Sequence, residues 1–183
     1  MEEKTKERLH KIFGYILVII AVALVVGVFG GAYYFIIAPN MVSKPLIENP
    51  GFGDDALELI QAGNNVVTAE HLNYLANEIS AYKLHTELGS DSYPIIEFVL
   101  TDTDDVFYAY VKDNVPETKK GNAKNEDIVL KAGQEIVYNI LESDDIIGAV
   151  REYNSAGEIQ IELVADMKTL AKKGYLSLYD TIK

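Results

Sequence analysis

Residues 95–111 read IIEFVLTDTDDVFYAYV. Ile96, Phe98 and Leu100 alternate with Ile95, Glu97 and Val99, the two-residue period of a strand whose side chains point to opposite faces in turn. The TDTDD segment at 101–105 supplies turn formers, and residues 106–111 return as a second strand. The stretch reads as a hairpin, and its neighbours decide the fold class.

Upstream, Thr68 is placed to cap a helix running to about His85. Leu72, Leu75, Ala76, Ile79 and Tyr82 recur there at three- and four-residue steps and form one apolar stripe. Asp54 and Asp55 open a shorter helix, ALELIQA, which ends at Gly63, a residue suited to a left-handed cap. Downstream, a polar, lysine-rich loop is predicted over 112–125 and a third strand over 128–130. Ile136, Val137, Ile140 and Leu141 then line one face of a helix. Ser143, Asp144 and Asp145 start another, which carries Ile146, Ile147 and Val150 and ends near Gly157. Ile159, Ile161 and Leu163 alternate with Gln160 and Glu162, giving a strand with one solvated face. A last helix starts at Asp166, breaks at Gly174 and leads into residues 175–179. From the long helix onward the order is α–β–β–β–α–α–β–α. That order predicts an α+β domain, an antiparallel sheet covered by helices on one face.

The stretch from Asp127 to Leu176 resembles the second half of sterol-carrier-protein-2-like (SCP2-like) domains. An acidic residue precedes a short strand, here Glu126-Asp127-Ile128-Val129-Leu130. Two short helices, a Gly-led amphipathic strand (Gly157-Glu158-Ile159-Gln160-Ile161) and a closing helix follow. The helix and hairpin over 68–111 match the same order of elements. The resemblance implies an elongated apolar tunnel between sheet and helices that binds a lipid or acyl chain. Phe98, Leu100, Phe107, Ile136, Ile140, Ile147 and Ile161 are the candidate tunnel residues; ordinary core is the other reading of each. Apolar pockets need few polar groups and bind by burying ligand surface. Two features depart from the family: such domains are usually soluble and intracellular, and the 112–125 loop is longer and more charged.

Far upstream, residues 13–37 read FGYILVIIAVALVVGVFGGAYYFII, 25 positions without a charge. Roughly 20 apolar residues in helical form cross a hydrocarbon core about 30 Å thick, so this run is predicted to be a transmembrane helix. Lys4, Lys6, Arg8 and Lys11 precede it, and the first basic residue after it is Lys44. The positive-inside rule then places residues 1–12 in the cytoplasm and the C-terminal domain outside the cell membrane. A cleaved signal peptide is disfavoured. The run exceeds the usual h-region of about 7 to 15 residues, and the nearest small-residue site, Ile36-Ile37-Ala38, precedes Pro39. Ala23, Gly27 and Gly31 repeat at four-residue spacing. That pattern suits a helix homodimer but also reflects the general frequency of Gly in membrane helices. Residues 38–53, APNMVSKPLIENPGFG, read as a linker, and 54–183 as the external domain.

With the four basic and three acidic residues of the first 37 set aside, 12 Lys and Arg stand against 25 Asp and Glu. That balance excludes nucleic acid, whose affinity comes from neutralised phosphates. The absence of cysteine excludes disulfides, thiol nucleophiles and thiolate metal sites. Asp102, Asp104 and Asp105 lack the glycine and distal Glu of an EF-hand loop, so turn formation is the better reading. His71 and His85, 14 residues apart on one predicted helix, would sit about 21 Å from each other, too far for a shared metal. No HExxH, GxSxG or phosphate-binding glycine loop is present. No catalytic residue, metal or cofactor is predicted. The expectation is a membrane-anchored, non-enzymatic protein that holds or presents a lipid or other apolar ligand. The alternative is a structural subunit of a cell-surface assembly.

Overall fold

The structure, a computed structural model, describes residues 19–30, 41–87 and 89–183. The chain divides into two units, Met1–Met41 and Val42–Lys183. In the first, residues 19–30 are helical and their large apolar side chains are half or more exposed. No helix among the described residues is long and apolar enough to cross a membrane. The tail, the rest of the expected span and Gly31 of the small-residue row lie outside the described residues.

The second unit begins with α1 (Ala56–Gln61) and α2 (Ala69–Glu78), followed by a 3₁₀ turn, Ala81–Lys83. Strands β1 (Ile95–Leu100), β2 (Asp105–Lys112), β3 (Val115–Lys120) and β4 (Ile128–Ala132) come next. Then come α3 (Gln134–Leu141), α4 (Ile146–Ser155), β5 (Gln160–Leu163), α5 (Met167–Lys172) and α6 (Tyr175–Ile182). The five strands form one sheet in the order β3-β2-β1-β4-β5.

The sheet is mixed, which corrects the antiparallel expectation: β1 and β4 run parallel at its centre. The reason is a strand that hydropathy concealed. β3, VPETKK, occupies part of the segment expected as a loop, and it is an edge strand rich in charge. Gly121 N–H donates to the Val106 carbonyl, so alternation along the antiparallel ladder turns the Pro116 nitrogen outward. There its missing N–H costs the sheet nothing and blunts an open edge. From β3 the chain returns over the outer face, where the Ala123 N–H donates to the Glu97 carboxylate at 2.9 Å. It thus enters β4 in the direction of β1.

Ile96, Phe98 and Leu100 are buried on the helix-facing side of β1. Register aligns Phe107, Phe98, Leu130 and Ile161 as one row across β2, β1, β4 and β5. The helix expected over 68–85 ends at Glu78, because Ser80 takes a left-handed φ of 72°. That bend sends Ala81, Tyr82 and Leu84 into the core and removes His85 from the helix that carries His71.

The base of the sheet is pinned by Asp127, whose side chain and that of Lys173 are each 4% exposed. Lys173 Nζ donates to Asp127 Oδ1 at 2.8 Å, to Ser92 Oγ at 3.2 Å and to the Tyr93 carbonyl at 3.2 Å. Asp127 Oδ2 also accepts from the Ile95 N–H at 2.8 Å and the Tyr175 hydroxyl at 3.0 Å. Burial, then the Asp127 carboxylate, pushes the Tyr175 hydroxyl well above its ordinary range. Between α5 and α6, Gly174 has φ 87°, and a Cβ there would come within 3.1 Å of the His85 ring. Glycine is therefore required.

Residues 44–52, inside the segment expected as a spacer, lie bound against this unit. Lys44 pairs with Glu78 at 2.6 Å, and the Pro45 carbonyl accepts from Asn77 Nδ2 at 3.0 Å. Phe52 stacks on His71 with centroids 4.1 Å apart and meets Tyr138 of α3 at 4.9 Å. The segment that reads as a spacer is instead a strap along α2, and Gly51 within it takes a left-handed φ of 64°.

Candidate functional site

Between the sheet and the helices lies a cavity of about 40 Å³. Leu72, Leu75 and Ile79 of α2 form one wall and Val137 and Ile140 of α3 another. Phe98, Leu100, Leu130, Ala132 and Ile161 supply the sheet side, and Val150, Ile159 and Ile182 close the remainder. Asn154 is the sole polar residue of the lining, and its amide is already engaged by the Ile182 carbonyl at 3.2 Å. The space therefore offers apolar contact and nothing to do chemistry with.

Four of the seven candidate residues, Phe98, Leu100, Ile140 and Ile161, line this cavity. Phe107 shares the row of Phe98 but is sealed in the core, 2% exposed. Ile136 and Ile147 pack half-buried against the core and off the cavity. The seven candidates did not include the α2 wall, nor Val99, Leu130, Ala132, Val137, Val150, Asn154, Ile159 and Ile182. The apolar stripe at Leu72, Leu75 and Ile79 was the available signal, but periodicity alone does not tell which stripe faces a gap.

Helix α4 packs on α3 and α6. Leu130, Ala132, Asn154, Ile159 and Ile161 are partly exposed, so this side of the cavity wall lies nearest to solvent. Two bonds hold α4 to the end of α6: Arg151 Nε donates to the Thr181 carbonyl at 2.9 Å, and Asn154 to that of Ile182.

Of the three aspartates weighed as ligands, Asp102 and Asp105 have structural duties, as has Asp145, which was read as a helix cap. Asp102 Oδ2 accepts the Gln134 N–H at 2.9 Å at the start of α3. Asp105 pairs with Lys120 at 2.8 Å. Asp145 caps α4 through Gly148 N–H at 2.9 Å. No group of three or more His, Cys, Asp or Glu among the described residues could hold a metal.

No family model matches the chain, and no curated protein is similar to it in sequence. Several solved structures show a distant likeness, three of them as follows. A UbiJ-SCP2 ubiquinone synthesis protein has TM-score 0.34 and 8% identity, over 61% of this chain and 80% of that one. The stereoselective inverting sec-alkylsulfatase Pisa1 from Pseudomonas sp. has TM-score 0.35 and 12% identity, over 61% and 16%. A double mutant of PisA1 has 0.39 and 14%, over 66% and 17%. The chain thus spans most of the first and a small part of the sulfatase. At these TM-scores the likenesses carry no argument about function.

Proposed function

We propose that this chain is a membrane-anchored, non-enzymatic binding protein that holds or presents a lipid or other apolar ligand between its sheet and helices. The observation that carries the reading is the cavity: apolar but for Asn154, and partly exposed along Leu130, Ala132, Ile159 and Ile161. At about 40 Å³ the space has room for water-sized molecules and not for an acyl chain. Uptake of an acyl chain therefore requires α4 to swing outward from β4 and β5. Breaking its two bonds to α6 would cost about 1 kcal/mol each, against about 25 cal/mol for each Å² of chain buried. The SCP2-like order of elements agrees with this use. The uncharged run at 13–37 supplies the proposed anchor, with the N-terminus cytoplasmic and the domain external.

The structural-subunit reading is favoured by one observation, an exposed apolar group at the end of β5 formed by Leu163, Val164 and Met167. Photocrosslinking separates the two. Full-length protein would be incubated with vesicles containing a phospholipid with a diazirine in its acyl chain, irradiated, and mapped by peptide mass spectrometry. Binding predicts label in residues 146–163, reduced at least several-fold by Ile161→Trp. Label confined to residues 13–37 would sink the binding reading and leave the subunit one.

A further inference from the structure

We propose that β5 is a self-association edge, through which two copies of this chain join their five-stranded sheets into one. The pairing is independent of whether the apolar cavity carries a ligand. It starts from the contrast between the two ends of the sheet, which are β3 and β5. β3 carries Pro116, Lys119 and Lys120, residues of the kind that keep an open edge from pairing. β5, QIEL, has neither proline nor lysine, and each of its residues is at least partly exposed. One edge is guarded and the other is not.

Register tells which backbone groups the open edge offers. The Thr101 N–H donates to the Ala132 carbonyl at 3.0 Å, so the even-numbered residues of β4 turn their backbone groups towards β1. Val129 and Lys131 then turn theirs towards β5, where their partners are Glu162 and Gln160. The Val164 N–H continues that ladder to the Asp127 carbonyl at 3.0 Å. The N–H and C=O of Ile161 and Leu163 consequently point away from the sheet, and no loop or turn bond among the described residues reaches them. The Ile159 carbonyl accepts none either. Side chains divide in the same rhythm, with Ile159, Ile161 and Leu163 on the helix-facing side and Gln160 and Glu162 on the other.

A second β5 fits this edge in one antiparallel register. Centred on Glu162, the pair would set two carboxylates opposite each other with Cα atoms about 4.5 Å apart, like charge against like. Centred on Leu163, it would need the Ala165 N–H, which is already bonded to the Asp127 carbonyl at 2.9 Å. Centred on Ile161, neither obstacle arises. Ile161 then exchanges two bonds with its counterpart, and each Leu163 N–H reaches the other copy's Ile159 carbonyl. Gln160 faces Glu162, whose charge is balanced by Lys131 of its own chain at 2.9 Å. On the helix side, Leu163 covers Ile159, so the row of Phe107, Phe98, Leu130 and Ile161 runs on into the second copy. The seam buries Ile159 and Ile161, which line the cavity on the side nearest to solvent.

The lack of native cysteine permits a direct reading. Ile161→Cys and Leu163→Cys would be introduced singly into the full-length chain, held in mild detergent and oxidised with copper phenanthroline. Residues opposite each other in a bonded pair have Cα atoms about 5.5 Å apart, within the span of about 4.4–6.8 Å that a disulfide bridges. The two Leu163 positions lie four residues out of step, about 14 Å apart. Ile161→Cys should therefore give at least several-fold more covalent dimer than Leu163→Cys, although Leu163 is the more exposed of the two and random collision would favour it. Adding Leu163→Lys, a guard of the kind β3 carries, should remove the Ile161→Cys product without moving the urea midpoint. In the wild-type chain the Ile161 and Leu163 amides should exchange with deuterium slowly at millimolar concentration and rapidly at micromolar. The proposal is overturned by equal cross-linking at the two positions, by a product that survives Leu163→Lys, or by rapid exchange at every concentration. A dimer held only by the Ala23 and Gly27 row would give the last two results. The exchange measurement needs no substitution, so it decides the matter even if a variant does not fold.

Discussion

Asp127 shows how much one buried carboxylate can organise. Its two oxygens join the start of β1 through the Ile95 N–H, the α5–α6 junction through Lys173, and α6 through Tyr175. All three Lys173 ammonium hydrogens have acceptors as well. Such a pair adds little relative to well-packed apolar residues, but removing one member strands the other charge, at about 3–5 kcal/mol. Asp127→Asn should therefore lower unfolding free energy by about that amount, measured by urea titration followed by circular dichroism. The double substitution Asp127→Leu with Lys173→Met should recover part of it. A loss under about 1 kcal/mol for Asp127→Asn would mean that the ammonium finds water. Tyr175 adds a pH limb of definite sign. Its folded form holds the hydroxyl proton above the ordinary range, whereas the unfolded chain releases it near pH 10. Stability from this group is thus intact below about pH 10 and declines as pH rises beyond it. Tyr175→Phe should flatten that alkaline decline while lowering stability at neutral pH through the lost bond to Asp127. An unchanged alkaline slope would assign the limb to another group.

Among the elements, legibility followed side-chain periodicity and stopped where periodicity stops. β1 and β2 were readable because one face of each meets the core, and α3 because its apolar stripe does; in β5 only Ile161 packs against the core, while Leu163, expected inside, is 51% exposed. β3 was not, since VPETKK carries the marks of an edge strand, a proline and three charges, instead of alternation. Strand direction was also hidden: hydropathy says which side chains face inward, not which way the chain runs, so the parallel β1–β4 pair needed coordinates. The strap shows the same limit, because contacts such as Asn77 to the Pro45 carbonyl leave no repeat in the sequence. The cavity was half legible, through the row that contains Phe98 and Ile161, but a void is a failure of packing between elements and no single element encodes it. Its existence is open to test by filling. Ala132 faces the space from β4, and a void of about 40 Å³ costs about 1 kcal/mol at about 24 cal/mol per Å³. Ala132→Val should return most of that, raising the urea midpoint at unchanged slope. Destabilisation of similar size would show the site already full.

At the scale of the whole molecule, the proposed anchor rests on sequence physics alone, because residues 13–18 and 31–37 lie outside the described ones. Within lipid each backbone polar group must be paired inside its own segment. An uncharged run of 25 residues satisfies that as a helix and, at 1.5 Å per residue, reaches about 37 Å. The proposed orientation is argued from the four basic residues before the run and from the absence of any between it and Lys44; acidic residues such as Glu2, Glu3 and Glu7 count little in that rule. Single cysteines test both claims in a chain that has none. Thr5→Cys marks the tail, and Asn122→Cys marks the exposed turn after β3. With a membrane-impermeant maleimide applied to intact cells, Asn122→Cys should label and Thr5→Cys should label only after lysis. The reverse pattern would invert the orientation and place the apolar site on the cytoplasmic side. Release of the protein from membranes by alkaline carbonate would remove the anchor itself, since a spanning helix is not extracted by a treatment that acts on surface charge.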